Sequence, residues 1–213
     1  MSASTLDSSL MTLVRAIAAG DATNASRLLA ASPGLASARF EEGATRQAAT
    51  SYFLDEIQRY VYAGDTALHI AAAAYRTDIV QELIARGANV RARNRRGAEP
   101  LHAAAAGIPD SRSWNPPAQA AAVACLIAAG ADPNAINKDE VTPLHVAVRT
   151  RCAAAARALL VGGADARRKN KSGSTPLLLA TENTGRGGTG SRAAKAEQEE
   201  IVRLLQEYGA TRA

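Results

Sequence analysis

The 213-residue sequence predicts an all-α solenoid in which helix-turn-helix pairs stack in one direction and short β-turn fingers join them. Two markers in step and one apolar pattern carry that prediction. A hexapeptide recurs as Thr66-Ala67-Leu68-His69-Ile70-Ala71, Glu99-Pro100-Leu101-His102-Ala103-Ala104, Thr142-Pro143-Leu144-His145-Val146-Ala147 and Thr175-Pro176-Leu177-Leu178-Leu179-Ala180, with starts 33, 43 and 33 residues apart. A second marker follows each copy: Gly87-Ala88-Asn89, Gly130-Ala131-Asp132, Gly163-Ala164-Asp165 and Gly209-Ala210. Between the markers, residues such as Ile79, Val80, Leu83 and Ile84 fall at helical spacing and make one apolar stripe.

Each piece of the unit has a physical role. Thr66, Thr142 and Thr175 stand where a hydroxyl caps a helix, and the neighbouring proline occupies the first helical position, where its missing N–H costs nothing. Leu68, Ala71 and Ala72 then face inward, and Gly87 supplies a left-handed stop to the second helix. One helix pair cannot bury its own stripe. Stacked pairs can, so stability comes from contacts between neighbours.

The spacing of 33 and the Thr-Pro-Leu-His-x-Ala signature closely resemble the ankyrin repeat. The resemblance implies five stacked helix pairs, fingers and first helices that line a concave face, and a non-catalytic role in binding another folded protein.

The chain divides as a single domain, 1–213. Residues of about 10–34, with Leu13, Ala16, Ile17 and Leu28-Leu29 at repeat positions, form an atypical N-terminal cap. An insertion of about 36–61 follows. Five of the eight aromatics, Phe40, Tyr52, Phe53, Tyr60 and Tyr62, lie in or beside it. Phe53, Leu54, Ile57 and Val61 recur at helical spacing, which predicts a short amphipathic helix. Its aromatics either pack on the cap or form an exposed patch, with Tyr52, Phe53 and Tyr60 as candidate anchors. The repeats then run over about 62–93, 94–136 with an insertion at 107–117, 137–169, and 170–213 with an insertion at 185–196. The first insertion lengthens a finger, and the other two are expected to converge over Arg151 and Cys152. Trp114, the only tryptophan, sits in the second. It has two readings, local packing and an exposed binding residue.

The net charge is +5, and its placement matters more than its size. One finger carries Arg91, Arg93, Arg95 and Arg96, and the last carries Arg167, Arg168, Lys169 and Lys171. The middle one, with Lys138 beside Asp139 and Glu140, is mixed. These basic residues are the candidate partner-binding set, selecting a protein with an acidic surface. A rival reading is an anion or nucleic-acid binder that uses the same fingers and a glycine-rich loop, Gly185, Arg186, Gly187, Gly188, Gly190, Ser191 and Arg192. That loop contains a literal G-x-G-x-x-G, but a helix precedes it where the dinucleotide fingerprint needs a strand. Neither basic finger interleaves aromatics for stacking on single strands, so nucleic acid is the weaker partner.

No catalytic constellation, cofactor motif or metal set is expected. His69, His102 and His145 hold one signature position in three repeats, and helices packed about 8–10 Å apart cannot bring them to one metal at about 2 Å. They are expected to form a ladder of structural hydrogen bonds. Cys125 and Cys152 make no close pair and are expected to be reduced thiols. No apolar run reaches the roughly 18 residues of a membrane span. A monomeric, cytoplasmic interaction module is the resulting expectation.

Overall fold

A computed structural model describes residues 3–109, 111–181 and 192–210. Among the described residues there are ten α-helices in five consecutive pairs: α1 (Ala3–Ala19) with α2 (Ala22–Ala31), α3 (Ala67–Ala73) with α4 (Thr77–Ala85), α5 (Pro100–Ala105) with α6 (Pro116–Ala128), α7 (Pro143–Arg149) with α8 (Ala153–Val161), and α9 (Pro176–Thr181) with α10 (Arg192–Glu207). The first helices contact one another in sequence, α1 to α3 to α5 to α7 to α9, and the second helices do the same from α2 to α10. Each pair therefore buries its stripe against the next, and the apolar residues form one continuous core.

Local chemistry fixes the units. Proline stands at the start of α5, α6 and α7. Leu68, Leu101 and Leu144 are fully buried and Leu177 is 3% exposed, at equivalent places on the four inner helices. After α6, Gly130 adopts φ +92°, the left-handed conformation that lets its N–H return to Ile127 and end the helix.

The fingers share one construction. The Asn94 side-chain oxygen accepts the N–H groups of Arg96 and Ala98, Asn137 those of Asp139 and Val141, and Asn170 those of Ser172 and Ser174, at 2.9–3.1 Å. Each fingertip then bonds backward: Arg95 N–H to the Ala63 carbonyl (2.8 Å), Lys138 N–H to Arg96 (3.0 Å) and Lys171 N–H to Asp139 (3.1 Å).

The aromatic insertion departs from the expected helix over 51–60. Phe53–Leu54 (β1) and Arg59–Tyr60 (β2) pair antiparallel, with Phe53 opposite Tyr60 and Leu54 opposite Arg59. The helical spacing of Phe53, Leu54, Ile57 and Val61 is overridden by pairing along the flanks, where the Val61 N–H reaches the Tyr52 carbonyl and the Ala44 N–H reaches Val61, both at 2.8 Å. A residue set rich in aromatics and β-branches suits that ladder. Leu54 and Val61 are buried, and Phe53 and Tyr60 hold ring centroids 4.7 Å apart. Gly43 crosses so close to the backbone of Tyr62 and Ala63 that a Cβ would lie 2.3 Å from the Ala63 nitrogen. Only glycine fits there.

The hairpin is also longer in reach than a lengthened finger. At its tip, Glu56 and Ile57 line a cleft with Ala18 and Ala19 at the end of α1 and Ala73 to Arg76 at the end of α3. The insertion leaves from the finger side and ends at the opposite edge, where it meets the 107–115 loop of the third repeat.

Candidate functional site: two clefts on the inner-helix face

The histidines tie the inner helices to the next finger. The Nδ1 atoms of His69, His102 and His145 accept the N–H of Thr66, Glu99 and Thr142 at 3.1–3.2 Å. The Nε2 atoms lie 3.1, 3.0 and 3.1 Å from the carbonyl oxygens of Ala98, Val141 and Ser174. A carbonyl only accepts, so each Nε2 carries the proton and each ring is the neutral Nε2–H tautomer. Burial agrees: it lowers all three pKa values, that of His102 to about 4. Leu178 occupies the same position in the last copy and is 44% exposed, with no described finger beyond it.

A second ladder runs along the outer-helix ends and uses residues of the candidate set. Arg91 donates through Nε and Nη2 to the Gly130 carbonyl, both at 3.1 Å. Asn134 Nδ2 donates to Gly163 at 2.9 Å, and Arg167 Nε to Gly209 at 2.7 Å. Each cationic or amide head satisfies an orphan carbonyl at the C-terminus of the following repeat. Arg93 pairs with Glu99, its Nε 3.1 Å from Oε1. These residues join repeats to one another.

Arg95 and Arg96 are held from the other side. Arg95 Nη2 donates to the Ala44 carbonyl at 2.7 Å, and both guanidiniums lie over the Tyr62 ring, at 5.0 and 4.6 Å from its centroid. Lys138 is exposed on the next finger, and Arg149 closes α7. Arg95, Arg96, Lys138 and Arg149 together line a cleft of about 570 Å³, with Asp139 as the one carboxylate among the described lining residues. Arg149 has no place in the sequence-derived set. Its signal was the position: seven residues after the start of their hexapeptides the other copies carry Ala73, Ala106 and Glu182, where α7 carries an arginine.

The other candidates are dispersed. Arg168 is half-buried near His145, while Lys169 and Lys171 are exposed on the last finger. Tyr52 is half-buried and faces Asp7, Met11 and Glu42 at the cap. Its phenol pKa is raised by burial first and then by Glu42 and Asp7. Phe53 and Tyr60 pack on each other, Tyr60 being 40% exposed. None of these aromatics lines the basic cleft. Arg192 is exposed at the first turn of α10, while Gly185, Arg186, Gly187, Gly188, Gly190 and Ser191 lie outside the described residues.

A smaller cleft of about 210 Å³ lies between the hairpin and the 107–115 loop, lined by Ile57, Arg59, Tyr75, Ile108 and Trp114 among others. Trp114 is half-buried. The loop does cover Cys152: a Cβ on Gly107 would lie 2.8 Å from both its sulfur and the Tyr75 hydroxyl. Burial raises the Cys152 thiol pKa. Tyr75 sits at φ +57°, which places its hydroxyl 2.5 Å from the Ala106 carbonyl. Gln119 Nε2 bonds the carbonyls of Ala104 and Ala106, and Gln198, also eleven residues before its turn glycine, does the same for Ala180. In the two long repeats a glutamine thus caps the inner helix that the insertion follows.

Residues 13–111 match a family model described as Ankyrin repeats (3 copies), and residues 126–180 match one described as Ankyrin repeats (many copies). The chain belongs to the ankyrin repeat family, whose members are in general non-catalytic protein–protein interaction modules. No curated protein matches the chain in sequence. Among the described residues, no helix is long and apolar enough to cross a membrane.

Proposed function

We propose that this protein is a non-catalytic scaffold that grips an acidic segment of a partner protein in the cleft between the fingers and the end of α7. The observation that carries the reading is the convergence of Arg95, Arg96, Lys138 and Arg149 on one cleft with a single carboxylate among the described lining residues. Focused charge of one sign steers an oppositely charged partner and speeds encounter. The Tyr62 ring and the Ala44 carbonyl hold two of the four cations in place, so little side-chain entropy is lost when an anion binds. We further infer a monomer acting in the cytoplasm, a setting suited to its two free thiols.

The test is capture from the native host with the wild-type chain and with Arg96→Glu, Lys138→Glu and Arg149→Glu combined. Arg95 is spared because it also braces the insertion. The partner should be lost or weakened by the triple variant, and its wild-type association rate should fall as salt rises. Binding of random-sequence duplex DNA by the wild type at physiological salt, with a steep salt slope, would instead favour a nucleic-acid binder.

A further inference from the structure

The smaller cleft is built by the two insertions, which a regular repeat lacks, and its polar groups point to a ligand class of their own. Arg59 Nε and Trp114 Nε1 are buried, and neither has a hydrogen-bond partner among the described residues. The Arg59 Nη2 atom lies 3.9 Å from Asp65, too far for a hydrogen bond, and both Asp65 oxygens already accept from Tyr62 N–H and Asn94 Nδ2. The indole N–H is near the Cys152 thiol, a weak acceptor. Ser111 and Ser113 add hydroxyls at the rim, Arg59 is the one ionised group among the described lining residues, and Ile57, Ala106 and Ile108 supply apolar wall. Glu56 and Arg112 line the adjoining cleft.

We propose that the juxtaposition of Arg59 and Trp114 makes this cleft a receptor for a carboxylate carried on a compact apolar stem. Arg59 is ion-paired with Asp65 only at 3.9 Å and through Nη2, which leaves its planar Nε edge to a second, planar carboxylate. A phosphate dianion would need more cations to offset its lost hydration. The volume of about 210 Å³ holds a group the size of one side chain, against roughly 30 Å³ for each water. The walls are prepared in advance: the hydroxyl of Tyr75 and the amide of Gln119 pin the Ala106 carbonyl where the loop begins. Such a group occurs both in free short-chain acids and in the last residue of a polypeptide, and the chemistry at Arg59 is the same.

Because Trp114 is the sole tryptophan, its fluorescence reports the cleft directly. The full chain is titrated with 4-methylpentanoate, 4-methylpentanamide, and the peptide Ala-Ala-Leu with free or amidated C-terminus. Each acid should give a saturable change and bind about tenfold tighter than its amide. Arg59→Gln should abolish that preference while leaving circular dichroism and melting temperature close to wild type. Trp114→Phe, read by calorimetry, should weaken the acids a fewfold by loss of the indole donor. Tighter binding of the peptide acid identifies a chain terminus as the source, and tighter binding of the short-chain acid identifies a free metabolite; either upholds the proposal. Equal binding of acids and amides by the wild type, or no saturable change with any probe, overturns it. Arg96, Lys138 and Arg149 are untouched in these experiments, so failure here leaves the acidic-partner reading standing.

Discussion

His145 Nε2 lies 3.1 Å from the Ser174 carbonyl, 29 residues further along the chain, while its Nδ1 accepts the Thr142 N–H on its own helix. One neutral ring thus joins a helix start to the finger of the next repeat. His145→Ala should orphan the buried Thr142 N–H, while the Ser174 carbonyl keeps the Asn170 N–H at 3.0 Å, and so destabilise the chain by about 1–3 kcal/mol. Because contacts run only between neighbours, amide exchange should accelerate most in α9 and α10. Uniform acceleration across α3 to α10 would contradict the role assigned to the ring.

The ladder also sets an acid limit. An unfolded histidine titrates near ~6.5, whereas burial holds folded His102 at about 4 and lowers His69 and His145 as well. Between those values the unfolded chain binds more protons, so stability should be complete above about pH 6.5 and fall as pH drops toward 4. His102 alone accounts for roughly 3 kcal/mol at most. Glu99 and Glu197 oppose this, since burial raises their carboxyl pKa values and protonation relieves the buried charge. With three histidines against two carboxyls, the urea midpoint should drop between pH 7 and pH 4.5. A midpoint that rises over that range would refute the assignment of three neutral rings.

Leu144 is fully buried on α7, between α5 and α9. Leu144→Ala should cost about 2–5 kcal/mol as a core cavity. Melting within a degree of wild type would show that the inner-helix register is wrong.

The parts legible in the sequence are those that repeat. Leu68, Leu101, Leu144 and Leu177, the capping positions and the histidine site recur at fixed spacing because each makes contacts within one repeat or with the next. The hairpin over 53–60 is not legible because its apolar spacing is ambiguous locally, and Leu54 opposite Arg59 is a pairing that only the fold selects. The basic fingers were legible as composition but not as function. Arg91, Arg93 and Arg167 hold neighbouring groups, and Arg95 braces the insertion, facts set by where Gly130, Glu99, Gly209 and Ala44 come to lie. Arg149 was legible in principle, being the one basic residue at a repeat position that Ala73, Ala106 and Glu182 fill in the other copies.

Glu140 marks a place where the repeat departs from its own rule. It adopts φ +56° in a fingertip where Gly97 and Gly173 hold +72° and +79°. A left-handed residue with a side chain costs about 1–2 kcal/mol, while glycine in the unfolded chain loses about 0.4–1 kcal/mol of that. Glu140→Gly should therefore raise stability by roughly 0.5–1 kcal/mol, measured by urea unfolding. A loss would mean that the side chain has a compensating partner.

Glu99 is the other departure, an acid in the place where Thr66 and Thr142 cap their helices. It is almost fully buried, one oxygen pairs with Arg93, and the other has no partner among the described residues. Burial raises its carboxyl pKa even though Arg93 pulls it down, so the ionised form costs stability at neutral pH. A threonine would remove that charge and keep the capping box that the Glu99 side chain already makes with the His102 N–H, as Thr142 does with that of His145 at 3.3 Å. Arg93, whose side chain is 57% exposed, loses a partner at little cost. Glu99→Thr should therefore stabilise the chain by about 1 kcal/mol at pH 7.5. The gain should shrink as pH falls and the wild-type carboxyl protonates. A variant that melts below wild type at pH 7.5 would show instead that the Arg93–Glu99 pair holds the second finger against α5.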